Sequence, residues 1–303
     1  MYIITGGAGF IGSNISDELD KNKEEFLIID NLYSSNSYER NKKIVIADVS
    51  NYDQIKFIEN IKEEINIIHL ASIVNVEESR INPLNTFKSN VMGTVNIMEL
   101  ARKTDAYVTI ASSAAVYGEK NHMPIKEDDE KNPINLYGYT KLMEEEILFS
   151  YMKEYSLKGS ALRLFNVYGP KMKKGPYSGV IQIFISKILN NERPIIYGDG
   201  RNTRDFIYVK DVVNAFLNAI KYKANGIYNI GTGKETSIKQ LLNIIENILN
   251  VYIEPIYDEP RKNDIRFSVA DIEKAKNDLN WEPKIDLNEG LKKTIDFIKS
   301  TLL

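Results

Sequence analysis

The most constraining feature of this chain is a series of short, almost unbroken apolar segments separated by helical patterns. YIIT (2–5), FLIID (26–30), KIVIAD (43–48), INIIHLA (65–71), AYVTIAS (106–112) and SALRLFN (160–166) are dense in Ile, Val and Leu and show no regular apolar–polar alternation. A strand reads that way when both of its faces are covered, as in a parallel sheet packed between helices. Helical spacing lies between them, at about 10–22, 52–63, 84–103 and 137–155. This alternation predicts right-handed βαβ units and a doubly wound α/β sheet.

After Gly169-Pro170 the texture changes. KMKKGPYSG (171–179) is a polar, glycine-bearing loop, VIQIFISKILN (180–190) is helical in pattern, and PIIYGDG (194–200) and YNIG (228–231) resemble strand ends. Ser237 with Gln240 and Asp286 with Glu289 have the spacing of capping boxes at two further helices. The expected organisation is a nucleotide-binding domain over 1–166, rejoined by segments from about 205–230, and a smaller mixed α/β substrate domain over 167–303.

Charge is nearly balanced, with 39 basic and 42 acidic residues, which gives no basic face for nucleic acid. No apolar run approaches the roughly 18 residues of a membrane span. The chain has no cysteine and two histidines, His69 and His122, far apart, so a His/Cys metal site is not expected. A soluble, cytoplasmic protein is the reading.

The first strand runs into TGGAGFIG (5–12), where Gly7, Gly9 and Gly12 satisfy G-x-G-x-x-G, and Gly6, Gly9 and Gly12 satisfy G-x-x-G-x-x-G. Such glycines let the backbone turn tightly against a pyrophosphate seated at a helix N-terminus. Asp30, ending the next strand, is where a carboxylate binds the adenosine ribose diol and repels a 2′-phosphate, favouring NAD over NADP. Strand, glycine turn, helix and acid together predict a Rossmann domain.

LYGYTK (136–141) opens the fourth helical pattern. Residues four apart on a helix share a face, so Tyr137, and not Tyr139, lies beside Lys141. An ammonium next to a phenol favours the phenolate and so a base near neutral pH. ASSAAVYG (111–118) places Ser112 and Ser113 at the carboxyl end of the fifth strand, where α/β ligand sites lie. Each of these residues also has an ordinary structural reading, as packing, capping or a solvated charge.

Taken together the residues resemble the extended short-chain dehydrogenase/reductase family, in its UDP-glucose 4-epimerase branch, over nearly the whole chain. TGGAGFIGSN, DNL (30–32), ADV (47–49), HLAS (69–72), NVMGT (90–94), SSAAVYG, YGYTK, LRLFNVYGP, DGRNTRDFIYVKD and YNIGTG carry the likeness. The resemblance implies that NAD is held by Gly6, Gly9, Phe10, Ile11, Gly12, Asp30, Asn31, Asp48, Val49, Leu70, Ala71 and Asn90, with Tyr137 and Lys141. It implies Ser113, Tyr137 and Lys141 as the catalytic set. A UDP-sugar would meet Ser113, Tyr137, Asn166, Arg204, Arg261, Asp264 and Ser268.

Sister branches that dehydrate or decarboxylate nucleotide sugars carry an acid after the serine or threonine, whereas this chain has Ala114 and Ala115, which move no protons. The implied reaction is therefore epimerisation at C4 of a UDP-hexose through a 4-keto intermediate. Ser268, small where strict hexose enzymes are bulky, leaves room for an N-acetyl group, and Val74 replaces a residue that is polar or basic in many members. Alternatives are a UDP-uronate 4-epimerase, a 4,6-dehydratase-like enzyme and, from another class, a non-catalytic NAD-binding sensor. The resemblance also implies a homodimer through the helices at 84–103 and 137–155.

Overall fold

A computed structural model describes residues 1–33, 43–172, 179–260 and 264–301 of the chain. Its central sheet has seven strands: β1 (Tyr2–Thr5), β2 (Phe26–Asp30), β3 (Ile44–Ile46), β4 (Asn66–His69), β5 (Tyr107–Ser113), β6 (Gly159–Leu164) and β7 (Gly226–Ile230). The spatial order is β7-β6-β5-β4-β1-β2-β3, and every pairing is parallel.

The sheet explains the unbroken apolar runs. Successive residues of a strand face opposite sides, so Ile3, Ile29 and Ile67 enter one core while Ile4, Ile28 and Ile68 enter the other. The second of these cores is closed by helices α1 (Phe10–Lys21) and α4 (Val209–Lys221) through Ile15, Leu19, Val212 and Phe216. The first is closed by α2 (Gly93–Thr104) and α3 (Leu136–Tyr155) through Ile97, Met98, Leu100 and Leu148. A third core unites Tyr168, Phe184, Phe206, Leu241, Ile245 and Ile295, built by the helices Val180–Leu189, Ile238–Leu249 and Leu287–Ser300. The strand order reverses between β1 and β4, and a crevice opens beyond their carboxyl ends at such a point.

Several boundaries differ from the sequence pattern for local reasons. The helix expected over 52–63 is one α-turn, Tyr52–Ile55, followed by a 3₁₀ segment, Lys56–Asn60. Ile55 and Ile58 are both fully buried, and three-residue spacing stacks them on one side. The helix expected over 84–103 is interrupted by a π-turn at Lys88–Met92, between Pro83–Phe87 and α2. The run 160–166 breaks after Leu164, and Asn166–Tyr168 pairs separately with Phe206–Tyr208. Ser237 and Gln240 form a full capping box, but Asp286 forms only half of one, because the Glu289 carboxylate bonds Lys293 instead.

Candidate active site

The glycine turn leaves β1 with Gly6 at φ +66°, a left-handed conformation that suits glycine. A Cβ on Gly6 would lie 2.7 Å from the amide nitrogen of Ala71, so the turn sits directly against the exit of β4. Of the two glycine patterns, the one that includes Gly6 therefore carries the strained position. Gly9 caps α1 without any side-chain bond to the first helical amides, and the first turn holds no acid. A Cβ on Gly9 would meet only the Gly6 carbonyl, at 3.1 Å. Unfilled space beside uncapped N–H groups and a positive dipole end favours a diphosphate.

Asp30 completes this end. Its Oδ2 accepts from Ala8 N at 2.9 Å and its Oδ1 from Leu32 N at 2.8 Å, leaving lone pairs on both oxygens for a diol. Burial pushes its carboxyl up, and the two amides oppose that shift. Phe10, Ile11, Leu70 and Ala71 are half-buried along the crevice, and Asn31 is exposed, accepting from Tyr33 N. These donors, the acid and the open glycine cradle fit NAD.

Three other expected cofactor residues make hydrogen bonds within the protein. Asp48 Oδ1 accepts from both the amide and hydroxyl of Ser50, and buried Val49 offers its carbonyl to Asn96. Asn90 is fully buried, and its amide is committed to both backbone groups of Ile73 and to Thr140 Oγ1. It lines no open surface; the π-turn aims it inward to tie the β4 exit to α3. The chain of bonds continues through Thr94 to His69 and Thr5. Burial and the nearby Lys141 lower His69 to about 3, so its imidazole is neutral.

Tyr137 and Lys141 share the expected face, with Lys141 Nζ 6.0 Å from the tyrosine ring centre. Tyr139 is exposed. Asn135 caps the helix by accepting from Gly138 N, and a Cβ on Gly138 would lie 2.7 Å from the Ala115 carbonyl. Only a glycine lets the tyrosine-bearing turn seat directly on the turn after Ser113. Ser113, half-exposed, caps that turn by accepting from Ala115 N, whereas buried Ser112 donates to Glu145. Among the described residues the Tyr137 hydroxyl takes no hydrogen-bond partner. Lys141 Nζ donates to the Ala111 carbonyl and to Glu144 Oε2, both at 2.9 Å.

Glu144, Glu145 and Arg163 were not singled out by sequence reasoning. Arg163 is fully buried, bonds both oxygens of Glu145 at 2.8 and 2.7 Å, and reaches the Tyr117 hydroxyl and the Glu127 carbonyl. An arginine inside an apolar strand such as SALRLFN is the signal, since a buried guanidinium requires an anion. Glu144 lies in the run EEE on α3, which gives no sign of which acids face inward. Burial pushes its carboxyl up to about 7, an effect that Lys141 partly offsets.

In the C-terminal part Asn166 is exposed at the start of its strand. Arg204 Nη2 donates to Asp264 Oδ1 at 2.7 Å, while Asp264 Oδ2 accepts from Asn202, so the acid holds the arginine. Burial lowers Arg204 from its usual range, and Asp264 opposes this. Ser268 is buried, Val74 is exposed, and Arg261 lies outside the described residues. Among the described residues no group of three or more His, Asp or Glu could hold a metal ion, and no helix is long and apolar enough to cross a membrane.

Residues 2–231 match the model of a family described as the NAD dependent epimerase/dehydratase family. A Methanocaldococcus jannaschii protein, provisionally assigned as a UDP-glucose 4-epimerase, is 43% identical over 304 residues, covering 99% of each chain. A UDP-N-acetyl-alpha-D-glucosaminuronate decarboxylase of Bacillus cytotoxicus is 35% identical, over 98% of this chain and 97% of its own. The crystal structure of the Thermotoga maritima UDP-glucose 4-epimerase with UDP-glucose superposes with a TM-score of 0.95 at 35% identity, over 100% of this chain and 99% of that one.

Proposed function

The chain belongs to the NAD dependent epimerase/dehydratase family, and on that premise we propose that it interconverts UDP-glucose and UDP-galactose through a 4-keto sugar. One constellation carries the reading: Tyr137 and Lys141 on one helix face, seated by Gly138 on the Ser113 turn, followed by Ala114 and Ala115. NAD, when bound, supplies the hydride acceptor and donor for C4. Tyr137 takes the proton of the 4-hydroxyl, Ser113 bonds the same oxygen and relays the proton, and Lys141 holds the cofactor ribose and favours the phenolate. The sugar then turns about its diphosphate linkage, and Tyr137 returns the proton on the other face.

Gly6, Gly9, Gly12 and the start of α1 cradle the cofactor diphosphate, and Asp30 binds the adenosine ribose. Asn166, Arg204 and Arg261 hold the UDP, with Asp264 orienting Arg204. The small Ser268 admits an N-acetyl group at C2, extending the substrates to UDP-N-acetylhexosamines. Decarboxylation, the reaction for which the Bacillus relative is named, and 4,6-dehydration both need an acid after the serine. Ala114 and Ala115 argue against both. We further propose that residues 1–166, rejoined by segments from about 205–230 that carry α4 and β7, form the cofactor unit, that the rest of 167–303 supplies the nucleotide-sugar unit, and that the chain is a homodimer. Leu84, Met92, Tyr139 and Met143 are exposed on the helical segments that would meet.

Incubation of the purified protein with UDP-galactose and, separately, UDP-N-acetylgalactosamine, without added NAD, tests the reading. The gluco epimer should form, and Tyr137→Phe should reduce turnover to background while NAD and UDP still bind. Full activity in that variant would remove Tyr137 from its role. No conversion of either sugar by wild type, with NAD supplied, would sink the hexose assignment in favour of a uronate.

A further inference from the structure

We propose that Glu144 is a positioning residue for Lys141, a buried carboxylate that keeps the lysine ammonium charged and aimed at Tyr137. The inference rests on the reading of Tyr137 and Lys141 as the pair that moves the proton.

The Lys141 and Glu144 side chains are 3% and 1% exposed, and their charged ends lie 2.9 Å apart. Glu144 Oε1 is buried and has no hydrogen-bond partner among the described residues. A carboxylate sealed in this way, with one oxygen unsatisfied, is costly. If the position served packing alone, an apolar side chain would serve it better. The ammonium beside it is enclosed as well, and a buried cation calls for an anion in direct contact.

The other charged or titratable groups packed around the pair do not supply this anion. Glu145, the next residue on α3, is engaged by Arg163 from β6 and by Ser112 from β5. His69 on β4 is held between Thr5 and Thr94 and is neutral. Tyr137, one turn before Lys141 on α3, is the group the ammonium serves. Among the described residues Glu144 is the one carboxylate in contact with Lys141. Glu144 lies two helical turns from Tyr137, so its effect on the phenol passes mainly through Lys141.

The test compares wild type, Glu144→Gln and Glu144→Asp, each with its bound cofactor, in two measurements. The first is the pH profile of UDP-galactose epimerisation. Gln keeps the shape and an acceptor but removes the charge, so Lys141 should lose its proton sooner. The alkaline limb of kcat should then move down by about one pH unit or more. Asp, which keeps the charge, should hold the limb near its wild-type position.

The second measurement is thermal unfolding across pH, which needs no turnover. In Glu144→Gln a buried ammonium without its anion costs stability wherever it is charged. Because burial holds Glu144 up to about 7, the wild-type pair is fully charged only above neutral pH; the difference is largest there and fades as pH rises toward the ordinary lysine value of about 10.4. The gap in Tm below wild type should therefore narrow on the alkaline side.

An active wild type with neither the limb nor the Tm gap altered by Gln would overturn the role of Glu144 and leave the epimerase reading standing. An inactive wild type would overturn the epimerase reading, and the Tm gap alone would then decide whether Glu144 holds the charge. If Glu144→Gln fails to fold, Asp decides. An alkaline limb at the wild-type position supports the assignment, and one that falls with the charge retained overturns it.

Discussion

Replacing Arg163 by Met strands Glu145, and replacing Glu145 by Leu strands Arg163, in each case leaving a charge enclosed in the core. Both side chains are essentially inaccessible, at 0% and 2% exposure, so solvent cannot take over the role of the missing partner. Breaking such a buried pair from one side costs about 3–5 kcal/mol. Unfolding entropy near about 2.1 cal/mol/K per residue converts this, for a chain of 303 residues, to a fall in Tm of roughly 5–8 °C for each single variant. The double variant removes both charges at once. It still leaves Ser112 and the Glu127 carbonyl short of a partner, at about 1–3 kcal/mol each. Its total loss, about 2–6 kcal/mol from those two groups, should therefore be comparable to that of one single variant and below the sum of the two, about 6–10 kcal/mol. Thermal unfolding of the four proteins, read as a double-mutant cycle, checks this. Additive losses would refute the reasoning, since they would mean that the arginine and the glutamate do not depend on each other.

Gly6→Ala should lose bound NAD, because a left-handed residue with a Cβ costs roughly 1–2 kcal/mol before its 2.7 Å clash with Ala71 is counted. Cofactor content released on denaturation measures this, and a wild-type content would count against the glycine cradle. Light scattering should give twice the chain mass for the proposed homodimer, and Leu84→Glu should lower it to that of one chain. A monomeric wild type would refute the interface.

The sheet was legible in the sequence because a strand covered on both faces is filled mostly by apolar side chains, and the Ile-rich runs state this directly. The glycine turn and Asp30 were legible as local patterns, closely spaced glycines after one strand and an acid at the end of the next, although the contact that excludes a side chain at Gly6 is with Ala71, distant in sequence. The juxtaposition of Tyr137, and not Tyr139, with Lys141 was legible too, since it follows from helical spacing alone. The sequence did not reveal the π-turn at Asn90, whose side chain bonds Thr140, 50 residues away. It also could not separate the three acids of EEE (144–146), of which Glu144 serves Lys141, Glu145 serves Arg163 and Glu146 is exposed. Residue order determines which side chains a helix presents on each face. Which face meets water, a lysine or an arginine was decided by the packing of α3 on the sheet, where burial makes each charge depend on a partner distant in sequence or on the next turn.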